Sequence, residues 1–217
     1  MLFRSGGGAD PRTVARYCAL GDCADLTLHY SDPILSALPA DYRLELLPPE
    51  WARLFYPRPW RDLLERHAAS SGVDPLLLLS LARQESGFRP RAMSDLSARG
   101  IFQFIAPTAF GLVGEMRLAD FALTDLYDPE KAIPLGVRYV KSLQTEFSQP
   151  ALIAAAYNGS EDSTRRWIAR SQSREPDRYV IEILKRETKD YVFKVMNLYS
   201  AYGGVYGKSK IVERKTD

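Results

Sequence analysis

The sequence predicts an all-α chain, and three observations carry that expectation. Residues 73–88 form a nearly continuous apolar helix with its own start and stop signals. Asp-Pro and Pro-Pro pairs, which suit a helix start or break a helix, punctuate the rest of the chain at Asp32-Pro33, Pro48-Pro49, Asp74-Pro75 and Asp128-Pro129. The strand-like run is confined to residues 101–105, Ile-Phe-Gln-Phe-Ile, which reads as a short strand or an extended loop.

The apolar helix organises the reading. Asp74 can accept from orphan amides as an N-cap, Pro75 needs no donor at the first helical position, and Gly87 is a stop. Between them Leu76, Leu77, Leu78, Leu79, Leu81 and Ala82 cover most of the cylinder, as in a helix buried inside a globular protein. Glu85 shares a face with Leu81 and Leu78, so its carboxyl should project from apolar surface near the negative end of the helix dipole. Desolvation and the dipole both favour the protonated form, which is what a general acid requires. On spacing alone the other reading stays open, a last-turn glutamate that turns to solvent or pairs with Arg83 or Arg89.

Composition bounds the partners. With 46% hydrophobic residues in 217, the chain can bury a substantial core as one domain, or one domain plus an appendage. A net charge of +2 from 29 basic and 27 acidic residues gives no electrostatic ground for a nucleic-acid partner. Cys18 and Cys23 have only the lone His29 near them, so no metal site is expected; a disulfide and two buried free thiols both remain open. No run of about 18 apolar residues exists, so no transmembrane segment is expected. The Gly-rich start, residues 1–8, lacks the features of a secretory signal and reads as part of a longer chain.

Taken in order, short helices are expected over residues 12–20, ended by Gly21, and 24–30, ended at Asp32-Pro33. A Pro-rich entry, residues 55–60, should lead into an amphipathic helix with Leu63, Leu64 and Ala68 turned inward, packed beside the Glu85 helix. His67 reads as a surface or core-edge residue. Of Phe102 and Phe104, at least one reads as ordinary core. A helix from Asp128-Pro129 to Leu143 carries Gly136, either a close-packing point or a tolerated glycine. Residues 150–159 form a small-residue helix stopped at Tyr157-Asn158-Gly159, where Tyr157 alone could be a buried tyrosine with a satisfied hydroxyl. The last helix, residues 186–202, presents Tyr191, Val195, Leu198 and Tyr202 as a core stripe, and Glu187 in its first turn suits the amide dipole. The charged tail, residues 208–217, is expected to be disordered.

Four motifs in fixed order add a resemblance. Arg83-Gln84-Glu85-Ser86, then Gly100-Ile101-Phe102-Gln103, then Ala156-Tyr157-Asn158, then residues 186–192 (Arg-Glu-Thr-Lys-Asp-Tyr-Val) resemble the motif set of the soluble lytic transglycosylases, the SLT domain. The resemblance implies a lysozyme-like helical catalytic domain over residues 54–207. Residues 1–53 would be the end of a helical array and 208–217 a tail. It implies cleavage of the β-1,4 bond between N-acetylmuramic acid and N-acetylglucosamine in peptidoglycan glycan strands, with no cofactor, in the periplasm or cell envelope. Glu85 would be the general acid, and Ser86, Phe102, Gln103, Tyr157, Asn158 and Glu187 would hold the glycan. Phe102 departs from the family's usual Met and Ala132 from its usual Asn, and residues 106–109 alter its Pro-x-Thr-Ala pattern.

Glycosidases normally use two carboxylates. Around Glu85 the sequence offers Asp95, in a polar turn, and Glu187, matched to a supporting position, so the substrate's own acetamido group is expected to assist and a 1,6-anhydro end to form. The rivals are a goose-type-lysozyme-like hydrolase and a non-catalytic glycan-binding module. Retention of Glu85, Ser86, Gln103 and Tyr157 argues against the second.

Overall fold

The computed structural model describes residues 9–39, 42–171 and 175–207. Among these the architecture is all-α, with single bridges Met93–Arg99 and Arg99–Phe104 in place of strands. The expected tail falls outside the described residues. Backbone packing divides the chain into two compact units, with the division between Pro59 and Trp60.

The first unit holds α1 (Pro11–Leu20), α2 (Ala24–Ser36) and α3 (Pro49–Phe55). Asp10 caps α1 by accepting from the Arg12 amide, and Gly21 ends it as expected. The expected stop at Asp32-Pro33 is overturned, because α2 continues through Pro33 to Ser36. Pro33 forfeits one backbone bond. Thr27, Leu28 and Ser31 are nevertheless buried on α2, which packs on α1 and α3, and the Ser31 hydroxyl donates to the Leu54 carbonyl of α3 at 3.2 Å. Cys18 and Cys23 are free thiols, and Cys23 is exposed, contrary to the burial expected of unpaired thiols there.

The second unit contains α4 (Arg61–Ser71), α5 (Pro75–Ser86), α6 (Ala106–Met116), α7 (Pro129–Glu146), α8 (Pro150–Gly159), α9 (Glu161–Arg170), α10 (Pro176–Ile181) and α11 (Arg186–Tyr206). Helix α5 is central, packed by α4, α7 and α11. Its start follows the sequence signals: Asp74 Oδ1 accepts from the Leu76 amide at 2.8 Å, and Pro75 occupies the first turn. Every residue from Leu76 to Ala82 is buried, so the all-round apolar pattern reflects neighbours on all sides. Gly87, at φ 59°, caps the far end in the left-handed region and turns the chain out of the helix one residue after Ser86.

Helix α4 buries Leu63, Leu64 and Ala68 and touches both α5 and α7. Helix α11 runs along α5 and α8, and α9 packs on α8. The small residues of α8 are buried from Ile153 to Ala156 and let α11 lie close. Helices α6 and α9 had no counterpart in the sequence reading. Pro107 in the first turn of α6 needs no donor there, and Ser160, at φ 79°, caps α9 by accepting from the Ser163 amide.

Residues 101–105 form a tight loop, which settles the strand-or-loop alternative. Arg99 and Phe104 exchange backbone bonds at 3.0 and 3.1 Å, and Gln103 adopts φ 51° at the turn. The loop lies against α7 at Gly136, where a Cβ would sit 2.4 Å from Phe102 Cε2. That contact makes Gly136 the close-packing point. A Cβ at Gly100, at φ 76°, would lie 2.0 Å from the Leu126 carbonyl oxygen, so glycine is required there for both space and conformation.

Candidate active site

Glu85 occupies the last turn of α5, half-buried, where the apolar body of the helix gives way to the loop. Burial raises its pKa from an ordinary 4.5 to about 7, and a hydrogen bond from Tyr191 opposes part of that rise. The Tyr191 hydroxyl donates to Glu85 Oε1 at 2.6 Å, reaching across from α11. Of the two readings open at the sequence level, the desolvated carboxyl is the one the structure adopts.

Three tyrosines gather on this group. Burial first, and then the Glu85 charge, push the Tyr157 and Tyr191 hydroxyls well above their ordinary pKa. Tyr139 is pushed up to about 12 by burial, then by the charges of Glu161 and Glu85. The rings of Tyr139 and Tyr157 stand 5.1 Å apart, and Phe104 sets its edge against Tyr139 at 5.7 Å. The result is a desolvated carboxyl amid hydroxyls that remain neutral.

The loop is fastened to the site by two bonds. The Tyr157 hydroxyl donates to the Phe102 carbonyl at 2.8 Å. The Ser86 hydroxyl donates to the Ile101 carbonyl at 3.0 Å and also reaches the Ala82 carbonyl at 3.1 Å. Gln103 spends its amide hydrogens inside the loop, on the Gly100 carbonyl at 2.8 Å and the Ala92 carbonyl at 3.3 Å, leaving only its carbonyl oxygen to offer a ligand. At the end of α8, Asn158 Oδ1 accepts from the Thr188 hydroxyl at 2.8 Å.

The structure therefore sorts the residues named from sequence. Glu85, Gln103, Tyr157 and Asn158 retain exposed surface, and bonds from the surrounding elements fix each side chain. The Phe102 ring is 1% exposed and stacked on Phe104, so the side chain cannot touch a ligand and the ordinary-core reading applies to both rings. Ser86 is 2% exposed and acts as a tie between α5 and the loop. Glu187 stands in solvent in the first turn of α11, paired with Lys185 at 3.1 Å, and makes no bond to the group around Glu85. Sequence reasoning placed Tyr191 in a core stripe and missed its bond to Glu85. Its membership of the fourth motif was the available signal. Among the described residues no three His, Cys, Asp or Glu side chains are placed to hold a metal ion.

Helical scaffold, buried acid and loop together define a lysozyme-like domain. The Transglycosylase SLT domain model matches residues 62–180, more than half of the chain, and the chain belongs to that family. It is similar to the soluble lytic murein transglycosylases of Salmonella typhimurium strain LT2 and Escherichia coli strain K12. Each is 29% identical over 150 residues, covering 68% of this chain and 23% of the relative. It also resembles the membrane-bound lytic murein transglycosylase C of Edwardsiella ictaluri, 31% identical over 115 residues, 48% of this chain and 32% of the relative. The fold matches the crystal structure of the 70 kDa soluble lytic transglycosylase SLT70 from Escherichia coli, with a TM-score of 0.79 at 22% identity over 94% of this chain and 33% of that one. An inactive mutant of the lytic transglycosylase Slt from Pseudomonas aeruginosa superposes with a TM-score of 0.76 at 23% identity, over 93% of this chain and 31% of that one. The chain thus spans about a quarter of the length of the first two relatives.

Proposed function

We propose that this chain is a lytic transglycosylase that cleaves the β-1,4 bond between N-acetylmuramic acid and N-acetylglucosamine in peptidoglycan and leaves a 1,6-anhydro-muramic acid end. The observation that carries the reading is Glu85: a carboxyl with a pKa of about 7, raised by burial and held by one tyrosine hydroxyl. At neutral pH a large fraction of such a group is protonated, and it can give its proton to the bridging glycosidic oxygen as that bond breaks.

The positive charge that develops at the anomeric carbon then needs a nearby electron donor. The acetamido oxygen of the muramic acid supplies it, as in substrate-assisted glycosidases. Glu85, now a carboxylate accepting from Tyr191, takes the proton of the muramic acid C6 hydroxyl while that oxygen closes on the anomeric carbon. One glycosidic bond is exchanged for an intramolecular C1–O6 acetal bond, the acetamido oxygen withdraws from the anomeric carbon, and the proton returns to Glu85. Attack from within the same sugar has a large effective-concentration advantage over water.

Residues 54–207 are the catalytic region in this proposal, and the periplasm or cell envelope is the site of action. Support comes from membership of the SLT family and relatives named as soluble and membrane-bound lytic transglycosylases. No helix among the described residues is long and apolar enough to cross a membrane. Gln103, Tyr157 and Asn158 line the glycan side of Glu85. Ser86 and the Phe102 carbonyl hold the loop that carries Gln103.

Mass spectrometry of purified peptidoglycan after digestion tests the proposal. Muropeptides with anhydro ends, lighter by one water than hydrolytic products, are expected from the wild type and absent with Glu85→Gln. Reducing muramic acid ends as the main product would make the protein a hydrolase instead. No release by the wild type would leave a glycan-binding module.

A further inference from the structure

Thr188 sits in the first turn of α11, fully buried, with its methyl group toward Gly159 and its hydroxyl on Asn158 Oδ1 at 2.8 Å. Among the described residues that carboxamide oxygen is the hydroxyl's one partner. A threonine hydroxyl can also accept, so the opposite amide orientation, with Asn158 Nδ2 toward Thr188, is sterically open. It would leave the hydroxyl proton without an acceptor in a place water does not reach. A buried donor left without an acceptor is strongly disfavoured, because its lost hydrogen bonds to water are not replaced. The buried hydroxyl therefore selects one of the two amide orientations.

We propose that Thr188 is a positioning residue that fixes Asn158 as a pure hydrogen-bond donor. This assignment rests on the reading of Asn158 as a contact to the glycan. With Oδ1 committed to Thr188, Nδ2 is left with no hydrogen-bond partner among the described residues. Asn158 then recognises an acceptor, such as the carbonyl oxygen of an acetamido group or a sugar hydroxyl oxygen. Gln103 is the complement: its amide hydrogens are consumed within the loop, so it presents only an acceptor and takes a sugar hydroxyl or an acetamido N–H. The two amides are thus locked with opposite polarity by groups behind them, and a glycan is read by one donor and one acceptor.

The test measures binding of purified uncrosslinked glycan strands by calorimetry in the Glu85→Gln background, so that no turnover intervenes. Adding Thr188→Val, which keeps the shape and removes the hydroxyl, should weaken binding about 3- to 10-fold, the scale of one hydrogen bond. Adding Thr188→Ser should restore affinity to within about 2-fold of the parent, because the hydroxyl returns. Thr188→Val on top of Asn158→Ala should weaken binding no further, since the two act as one unit. Parent-like binding with Thr188→Val beside weakened binding with Asn158→Ala overturns the assignment alone. Parent-like binding with Asn158→Ala removes Asn158 as a glycan contact and Thr188 with it. No binding by the Glu85→Gln parent removes the glycan reading and this assignment together.

Discussion

The Tyr199 hydroxyl donates to Asp74 Oδ2 at 2.6 Å, while two turns earlier on the same helix Tyr191 donates to Glu85 at 2.6 Å. Helix α11 thereby holds α5 at both ends, at its N-cap and at its acid. Asp74 still has Oδ1 on the Leu76 amide, so one carboxylate serves the cap and the inter-helix tie together.

Tyr199→Phe removes the tie and leaves the cap. A hydrogen bond to a charged group is worth about 1.5–3 kcal/mol, and with Asp74 part-buried the lower end is expected. The urea midpoint should fall accordingly. An unchanged midpoint would mean that water replaces the tyrosine without loss.

Glu85→Gln should raise the melting temperature at alkaline pH and leave it nearly unchanged at pH 4. Because burial raises the folded pKa from 4.5 to about 7, the unfolded chain loses this proton first, and stability falls as pH rises through that window. Below it both states are protonated and nothing is lost. The full shift corresponds to about 3 kcal/mol, so a gain of roughly 6–12 °C is the upper bound at pH 8. Scanning calorimetry of both proteins across pH 4–8 checks the sign and the window.

Tyr191→Phe removes the hydrogen bond that favours the ionised form of Glu85, so the carboxyl pKa should rise further. The alkaline limb of kcat/KM should move up by about one pH unit. If Tyr191 served only as packing, activity would fall equally at all pH values and the limb would stay in place.

Gly136→Ala places a methyl group 2.4 Å from the ring of Phe102, which is held between Phe104 and the loop bond from Tyr157. Overpacking of that kind costs about 1–3 kcal/mol, more than the helix propensity that alanine regains. Phe102→Leu in the same chain should recover part of the loss, and denaturant titrations of the two single variants and the double variant measure the coupling.

The sequence determined what is local. Asp74, Pro75 and Gly87 marked the ends of α5 because caps and stops act within one turn, and the unbroken leucines announced a helix covered on all sides. The placement of Glu85 on that apolar face anticipated its raised pKa, since desolvation follows from which neighbours share a helix surface. Only the tertiary structure decided what Glu85 touches. Its hydroxyl partner is 106 positions away in the chain, and the tie at Asp74 spans 125, distances over which periodicity carries no information. The same holds for Phe102, Ser86 and Glu187, which come from three of the four motifs and differ in their surroundings. Burial turned the first two inward as packing and fastening, and the third faces water, because which side of a motif meets solvent depends on the elements that close over it.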